Sequence, residues 1–235
     1  MPLASHMTLP TNRKRFTDPA AWSGHGGHVL ALRYRHSTPA RLQAARDALW
    51  TFPGLEGCWR RNDREPTAAS RTASTYGLDP AKPLYGLAHL PGTDGVACAS
   101  VAWMDDHGLD DDCPLCRELA RQAGAPDGWL ELSLPFGGLG LAYPIGAYPC
   151  TDGSSLAWRD EVDAWLRALG EHVHRAAPFD MALVGWPDGA LGPLPATAEE
   201  VWEERSLGYL FPDPRGLAWF PPTMGAPIPD LVAVN

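Results

Sequence analysis

No stretch of the chain approaches the roughly 18 consecutive apolar residues that a membrane-crossing helix needs. The longest run, residues 96–104, is nine long and already contains Ser100. Cysteine is scarce: Cys58, Cys98, Cys113, Cys116 and Cys150 are five in 235 residues, an odd number too sparse for a disulfide framework, and a reducing compartment is expected. The recognisable catalytic signatures are missing too. There is no Gly-x-Ser-x-Gly elbow, no Gly-x-x-x-x-Gly-Lys phosphate loop, no His-Glu-x-x-His, no EF-hand loop, and no His-x-Glu of the kind a zinc deaminase requires. Gly137, Gly138 and Gly140 do not make a dinucleotide loop, because Tyr143 stands where that fingerprint needs Gly or Ala and no helical pattern follows. No internal repeat is visible. No apolar core segment follows Arg13, Lys14 and Arg15 as it would in a secretory signal, so the cytoplasm is the expected location.

What is present is a globular composition: 45% hydrophobic, 20% charged, with 24 Gly and 24 Pro, about a fifth of the chain. That apolar fraction suffices for one sizeable core. The net charge of −9 is unevenly divided. Residues 1–71 hold 11 Lys and Arg against 5 Asp and Glu, a balance of +6, whereas residues 72–235 hold 8 against 23, a balance of −15. A carboxylate-dominated surface repels phosphates and attracts cationic proteins, which disfavours direct nucleic-acid binding for most of the chain.

Ser5-His6-Met7 has the look of a cloning scar, so residues 1–7 are read as a tag remnant, residues 8–27 as an N-terminal arm and residues 28–235 as a single α+β domain. Alternation over residues 28–35 predicts a strand, and Ser37-Thr38-Pro39 starts a helix that Pro53-Gly54 stops. Residues 60–82 lack periodicity and read as a loop. Two strands at 84–90 and 95–104 flank the turn residues Pro91-Gly92-Thr93-Asp94 and predict a hairpin. A short helix beginning near Pro114 and ending at Gly124 precedes a strand at 129–134, and residues 135–154 are expected to be irregular but packed. Val162, Trp165, Leu166, Leu169 and Val173 recur at helical spacing and predict a helix over 156–176. A buried strand is expected at 179–186, a capped short helix from Thr197-Ala198-Glu199-Glu200, and two strands at 207–211 and 216–220 around Pro212-Asp213-Pro214. Hairpins mixed with helices point to a mainly antiparallel or mixed sheet with helices packed on it, in one loop-rich domain.

Three groups of residues carry candidate chemistry. Cys113-Pro-Leu-Cys116, with His107 upstream, has the spacing of half a zinc site, but no second ligand pair appears, and two reduced cysteines at a helix start are the simpler reading. The run Asp105, Asp106, Asp110, Asp111 and Asp112, beside Trp103, reads as a solvated loop or, more sharply, as a docking patch for a basic partner. Glu199, Glu200, Glu203 and Glu204 around Trp202 form a second acidic cluster, where capping accounts for Glu200 and an exposed Trp would serve as an interface anchor. The ten tryptophans are expected to be mostly in the core, Trp165 and Trp186 among them, and the arginines of the first third to pair internally rather than grip phosphate.

Phe179-Asp180-Met181-Ala182-Leu183-Val184-Gly185-Trp186-Pro187 after an amphipathic helix, and Gly208-Tyr209-Leu210-Phe211-Pro212 near the end, resemble bacterial immunity proteins of polymorphic and type VI secretion toxins. Within these the chain is similar to the immunity protein 52 family, loosely over residues 28–222. The resemblance implies a non-enzymatic inhibitor, without cofactor, that binds a cognate basic toxin and covers its active site with carboxylates. Toxins of that family include nucleases of the restriction-endonuclease type. Two other readings stand beside it: a metal-dependent hydrolase built on His107 and the neighbouring aspartates, and a non-catalytic adaptor.

Overall fold

The computed structural model describes residues 16–23, 26–60, 62–63, 78–79, 82–104, 127–145, 157–187 and 194–223. Among these residues eight strands form one antiparallel sheet: β1 (Gly27–Tyr34), β2 (Leu55–Trp59), β3 (Leu84–Leu90), β4 (Thr93–Met104), β5 (Asp127–Pro135), β6 (Met181–Gly185), β7 (Gly208–Asp213) and β8 (Gly216–Phe220). Their order across the sheet is β2-β3-β4-β5-β1-β6-β7-β8, and every neighbouring pair is antiparallel. The α-helices among the described residues are α1 (Pro39–Leu49), α2 (Phe136–Gly140) and α3 (Ala157–Ala176). The α+β class expected from the sequence is the class observed.

The central strand explains how the two faces are used. β1 is buried along all eight residues, so both of its alternating sets are covered. Leu30, Leu32 and Tyr34 lie in the main core with Leu42 and Leu49 of α1 and with Val162, Leu166, Leu169 and Val173 of α3. α1 begins where the Thr38 hydroxyl accepts from the Arg41 N–H with Pro39 in the first turn, as its sequence demands. On the opposite face, Val29 and Ala31 join Trp129, Met181, Leu183, Leu207, Tyr209 and Phe211, roofed by Leu194, Ala198 and Val201. The far half of that face is closed by Phe16 and Ala21, which pack on Trp59, Leu87 and Val96.

Several expectations meet corrections. β2 has no counterpart in the sequence reading: it is short, contains Gly57 and shows no alternation. Within residues 135–154, expected to be irregular, residues 136–140 form the helical turn α2, made possible because Gly137 and Gly138 lie against the backbone of Ala20, Ala21 and Ser23, where a Cβ has no room. The hairpin β3–β4 forms as expected, but Thr93 and Asp94 already belong to the strand, and Gly92, at φ +73°, supplies the left-handed turn residue. At β7–β8 the turn is Pro214-Arg215, with Pro212 and Asp213 still paired across the ladder. The capped helix at Thr197 is a three-residue 3-10 turn instead: the Thr197 hydroxyl does not cap it, and the Glu200 carboxylate accepts from the Ala196 N–H. The helix expected from Pro114 to Gly124 and most of the loop at 60–82 lie outside the described residues. No helix among the described residues is long and apolar enough to cross a membrane.

Candidate functional site

Loop 194–206 runs across the second face of the sheet and leads into β7. Its inner side is apolar, with Leu194, Ala198 and Val201, like Phe220, packed on the cluster that contains Tyr209 and Phe211. Its outer side is anionic: Glu199, Glu200, Glu203 and Glu204 are all exposed. Between them Trp202 is 47% exposed, and among the described residues only one other large hydrophobic, Leu141, is comparably open. A half-exposed indole on an acidic loop is an anomaly for a chain that buries Trp50, Trp59, Trp129 and Trp158.

The loop is held rather than free. Arg205 Nη1 donates to the carbonyls of Trp202 (2.6 Å) and Glu203 (3.1 Å), satisfying groups that the absent helix leaves open. Its backbone exchanges two hydrogen bonds with Thr223, Arg205 N to Thr223 Oγ1 at 3.0 Å and Thr223 N to Arg205 O at 2.9 Å, while the Thr223 hydroxyl donates to Glu203 O at 2.6 Å. The carboxyl of Glu199 is held below the usual range by backbone and Thr197 hydroxyl hydrogen bonds, so it stays charged. The base of the loop is clamped from the core: Arg159 Nη2 donates to Ser206 O at 2.5 Å.

That clamp belongs to a buried polar cluster which the sequence did not reveal. His28 Nε2 lies 2.6 Å from Asp163 Oδ1, and Arg159 Nε donates to Asp163 Oδ2 at 3.3 Å, all three residues buried. Burial pushes the His28 imidazole below its ordinary value, and the nearby Arg159 charge acts in the same direction, while Asp163 pulls the other way. Partners 135 positions apart leave no local signal. With no solvent access, His28 is a pin between β1, α3 and the loop, not a group that reaches substrate.

Elsewhere the geometry is structural. Arg33 pairs with Asp127 (Nη2 to Oδ2, 2.6 Å), and Arg41 bonds the carbonyls of Arg35 and Pro178 and lies over Tyr34. Arg35 Nη2 donates to Ala196 O at 2.9 Å, and Arg46 to Gln43 Oε1 at 2.8 Å. The described arginines of strand β1 and helix α1 are thus engaged internally, as expected; residues 13–15 lie outside the described residues. Burial pushes the thiols of Cys58 and Cys98 up to about 12, Cys98 with help from the Glu131 carboxylate, so both are protonated and unreactive at neutral pH. Trp165 is buried and Trp186 is packed against the core.

Of the residues singled out in the sequence, Glu199, Glu203 and Glu204 are exposed on the loop that carries the exposed Trp202. Asp105, Asp106, His107, Asp110, Asp111, Asp112, Cys113 and Cys116 lie outside the described residues, and Trp103 is placed by its backbone alone, opposite Gly128 in the β4–β5 ladder. Among the described residues no group of three or more His, Cys, Asp or Glu is placed to hold a metal ion. Comparison of the chain with protein-family models, curated proteins and solved structures returns no match.

Proposed function

We propose that this protein is an immunity protein: it binds a cognate secreted toxin of basic surface, a nuclease acting in the cytoplasm, and neutralises it by stoichiometric occlusion. The observation that carries the reading is Trp202, exposed on a pinned loop among Glu199, Glu203 and Glu204. An exposed indole gives a large, rigid contact, and carboxylates around it select a cationic partner and speed its arrival. The −15 balance of residues 72–235 extends the same field over the rest of the surface, and the sequence resemblance to toxin immunity proteins points the same way. Carboxylates then stand where nucleic-acid phosphates would lie, and no cofactor is required.

The test is co-expression with the open reading frame adjacent to its gene, followed by size exclusion and a nuclease assay of the partner alone and in mixture. A complex with the nuclease silenced is the expected result. A partner whose activity is unchanged by a stoichiometric amount of this protein overturns the proposal.

A further inference from the structure

β8 ends the sheet among the described residues. Its five residues carry no charge and no proline, and Leu217, Ala218, Trp219 and Phe220 are only half-buried. The two-residue turn sets Asp213 opposite Gly216, so the hydrogen-bonded pairs fall at 213/216, 211/218 and 209/220. The N–H and C=O groups of Leu217 and Trp219 therefore point away from β7, to the open side. Pro212 sits opposite Leu217, at a position that exchanges no bonds across this ladder, so its missing N–H leaves the hairpin intact.

Natural sheets usually conceal such an edge, and the opposite one is concealed. β2 is bulged between Gly57 and Trp59, with Gly57 at φ +115° and Cys58 at φ +131°; it carries Glu56, and its Trp59 is buried beneath Phe16. Among the described residues β8 has none of these devices. At its Phe220 end, the Thr223 hydrogen bonds bring Trp202, Glu203 and Glu204 alongside, while at its turn end Asp213 and Arg215 offset one another.

We infer that β8 and the Trp202 loop together form a dock for an extended cationic segment of the toxin, which adds to β8 as a ninth strand; this rests on the neutralisation reading proposed above. The outward groups of Leu217 and Trp219, two residues and about 7 Å apart, match the repeat of an extended strand and no other conformation. Main-chain bonds supply affinity without regard to sequence, and Trp202 with its carboxylates selects Lys or Arg, by ring stacking and charge, on the segment's loop-facing end.

The experiment uses the full chain and the product of the adjacent open reading frame. Residue-resolved amide exchange is measured on this protein alone and in the complex, and affinity is measured for wild type, Leu217→Pro and the double reversal Glu203→Lys/Glu204→Lys. Leu217→Pro removes only an outward N–H from the ladder, and the wild-type exchange data stand whether or not that variant folds. The expected result is protection of the Leu217 and Trp219 amides on binding, at least 10-fold weaker binding for Leu217→Pro, and a comparable loss for the double reversal that shrinks as salt is raised. A complex that forms and silences the toxin while both amides stay unprotected overturns the dock and leaves the neutralisation reading in place. No complex at all overturns both. A dimer of this chain that Leu217→Pro dissociates assigns the edge to a second copy and overturns the dock.

Discussion

At β2 the sheet's margin is bent out of register by Gly57 and Cys58 and covered by Phe16, whose ring meets Trp59 edge-on at 4.9 Å between centroids. At β8, seven strands away, the margin is regular, uncharged and half-exposed, and the nearest loop presents an open Trp202 among glutamates. Both strands are five residues long and both contribute aromatic side chains. The difference lies in what the flanking chain does. Residues 16–22 fold back over β2 and turn its tryptophan into core, whereas loop 194–206 packs on the face of the sheet beside Phe220, and among the described residues no strand pairs with β8 on its outer side. An unpaired edge next to an exposed indole is the feature on which the proposed dock rests.

The largest loss of stability is expected at the closed margin. Phe16→Ala deletes a side chain with no solvent exposure that packs against Trp22 and Trp59, and is expected to cost about 3–5 kcal/mol. Denaturant melts would show the loss, and amide exchange should rise at β2 and β3 before β7 and β8. The open margin is broken at Gly208, where an added Cβ would collide with the Trp219 indole. Gly208→Ala is expected to cost about 1–3 kcal/mol through displacement of that ring, with extra exchange confined to β7–β8 and a red shift of tryptophan emission.

Acid should loosen the same half of the molecule. Burial lowers the His28 pKa, so the unfolded chain takes up a proton that the folded one resists. Stability is then fully present above pH 6.5, the ordinary histidine value, and falls as the pH drops below it towards the folded-state value. Asp163 and Arg159 are charged groups that act on His28, and Arg159 also holds Ser206 at the base of the Trp202 loop. Amide protection factors, which remove the intrinsic pH dependence of exchange, are expected to fall more from pH 7.5 to pH 5.5 in residues 202–210 than in β2 and β3; His28→Gln should flatten that difference.

The smallest effect on stability belongs to Trp202→Ala. Nothing in the core rests on this side chain, so the unfolding free energy should move by no more than about 0.5 kcal/mol. Affinity for the partner should fall by about 2 kcal/mol or more, near 30-fold, because an exposed tryptophan at the centre of an interface is where binding energy concentrates. A large melt shift with unchanged affinity would reassign Trp202 to the fold.

Local periodicity made much of the scaffold legible. The helical spacing of Val162, Leu166, Leu169 and Val173 and the two apolar sets of β1 were sufficient, because each pattern is set by the side of the core it must face. β2 escaped because it earns its place by contacts from afar, chiefly Phe16 on Trp59, and carries no alternation of its own. The glycine-rich segment after β5 hid α2 for a related reason: Gly137 and Gly138 record a close approach to residues 20–23, not flexibility. Thr197 to Glu200 matched a capping box, yet Val201 turns inward to the sheet and Arg205 closes the loop, so the helix never extends. The glutamates around Trp202 were visible as composition, but the exposure of the indole and the stitching to Thr223 are tertiary facts. The His28–Asp163 contact is equally nonlocal.

Whether carboxylates of this protein hold a cationic toxin is decided by calorimetric titration of the full chain with the adjacent gene's product at low and high salt. Wild type, Glu203→Lys/Glu204→Lys and the reversal of Asp110, Asp111 and Asp112 to Lys would be compared. The account predicts tight binding that weakens steadily with salt, and a loss on reversing Glu203 and Glu204 that is largest at low salt. Binding of unchanged strength and unchanged salt dependence in both reversed proteins would contradict it.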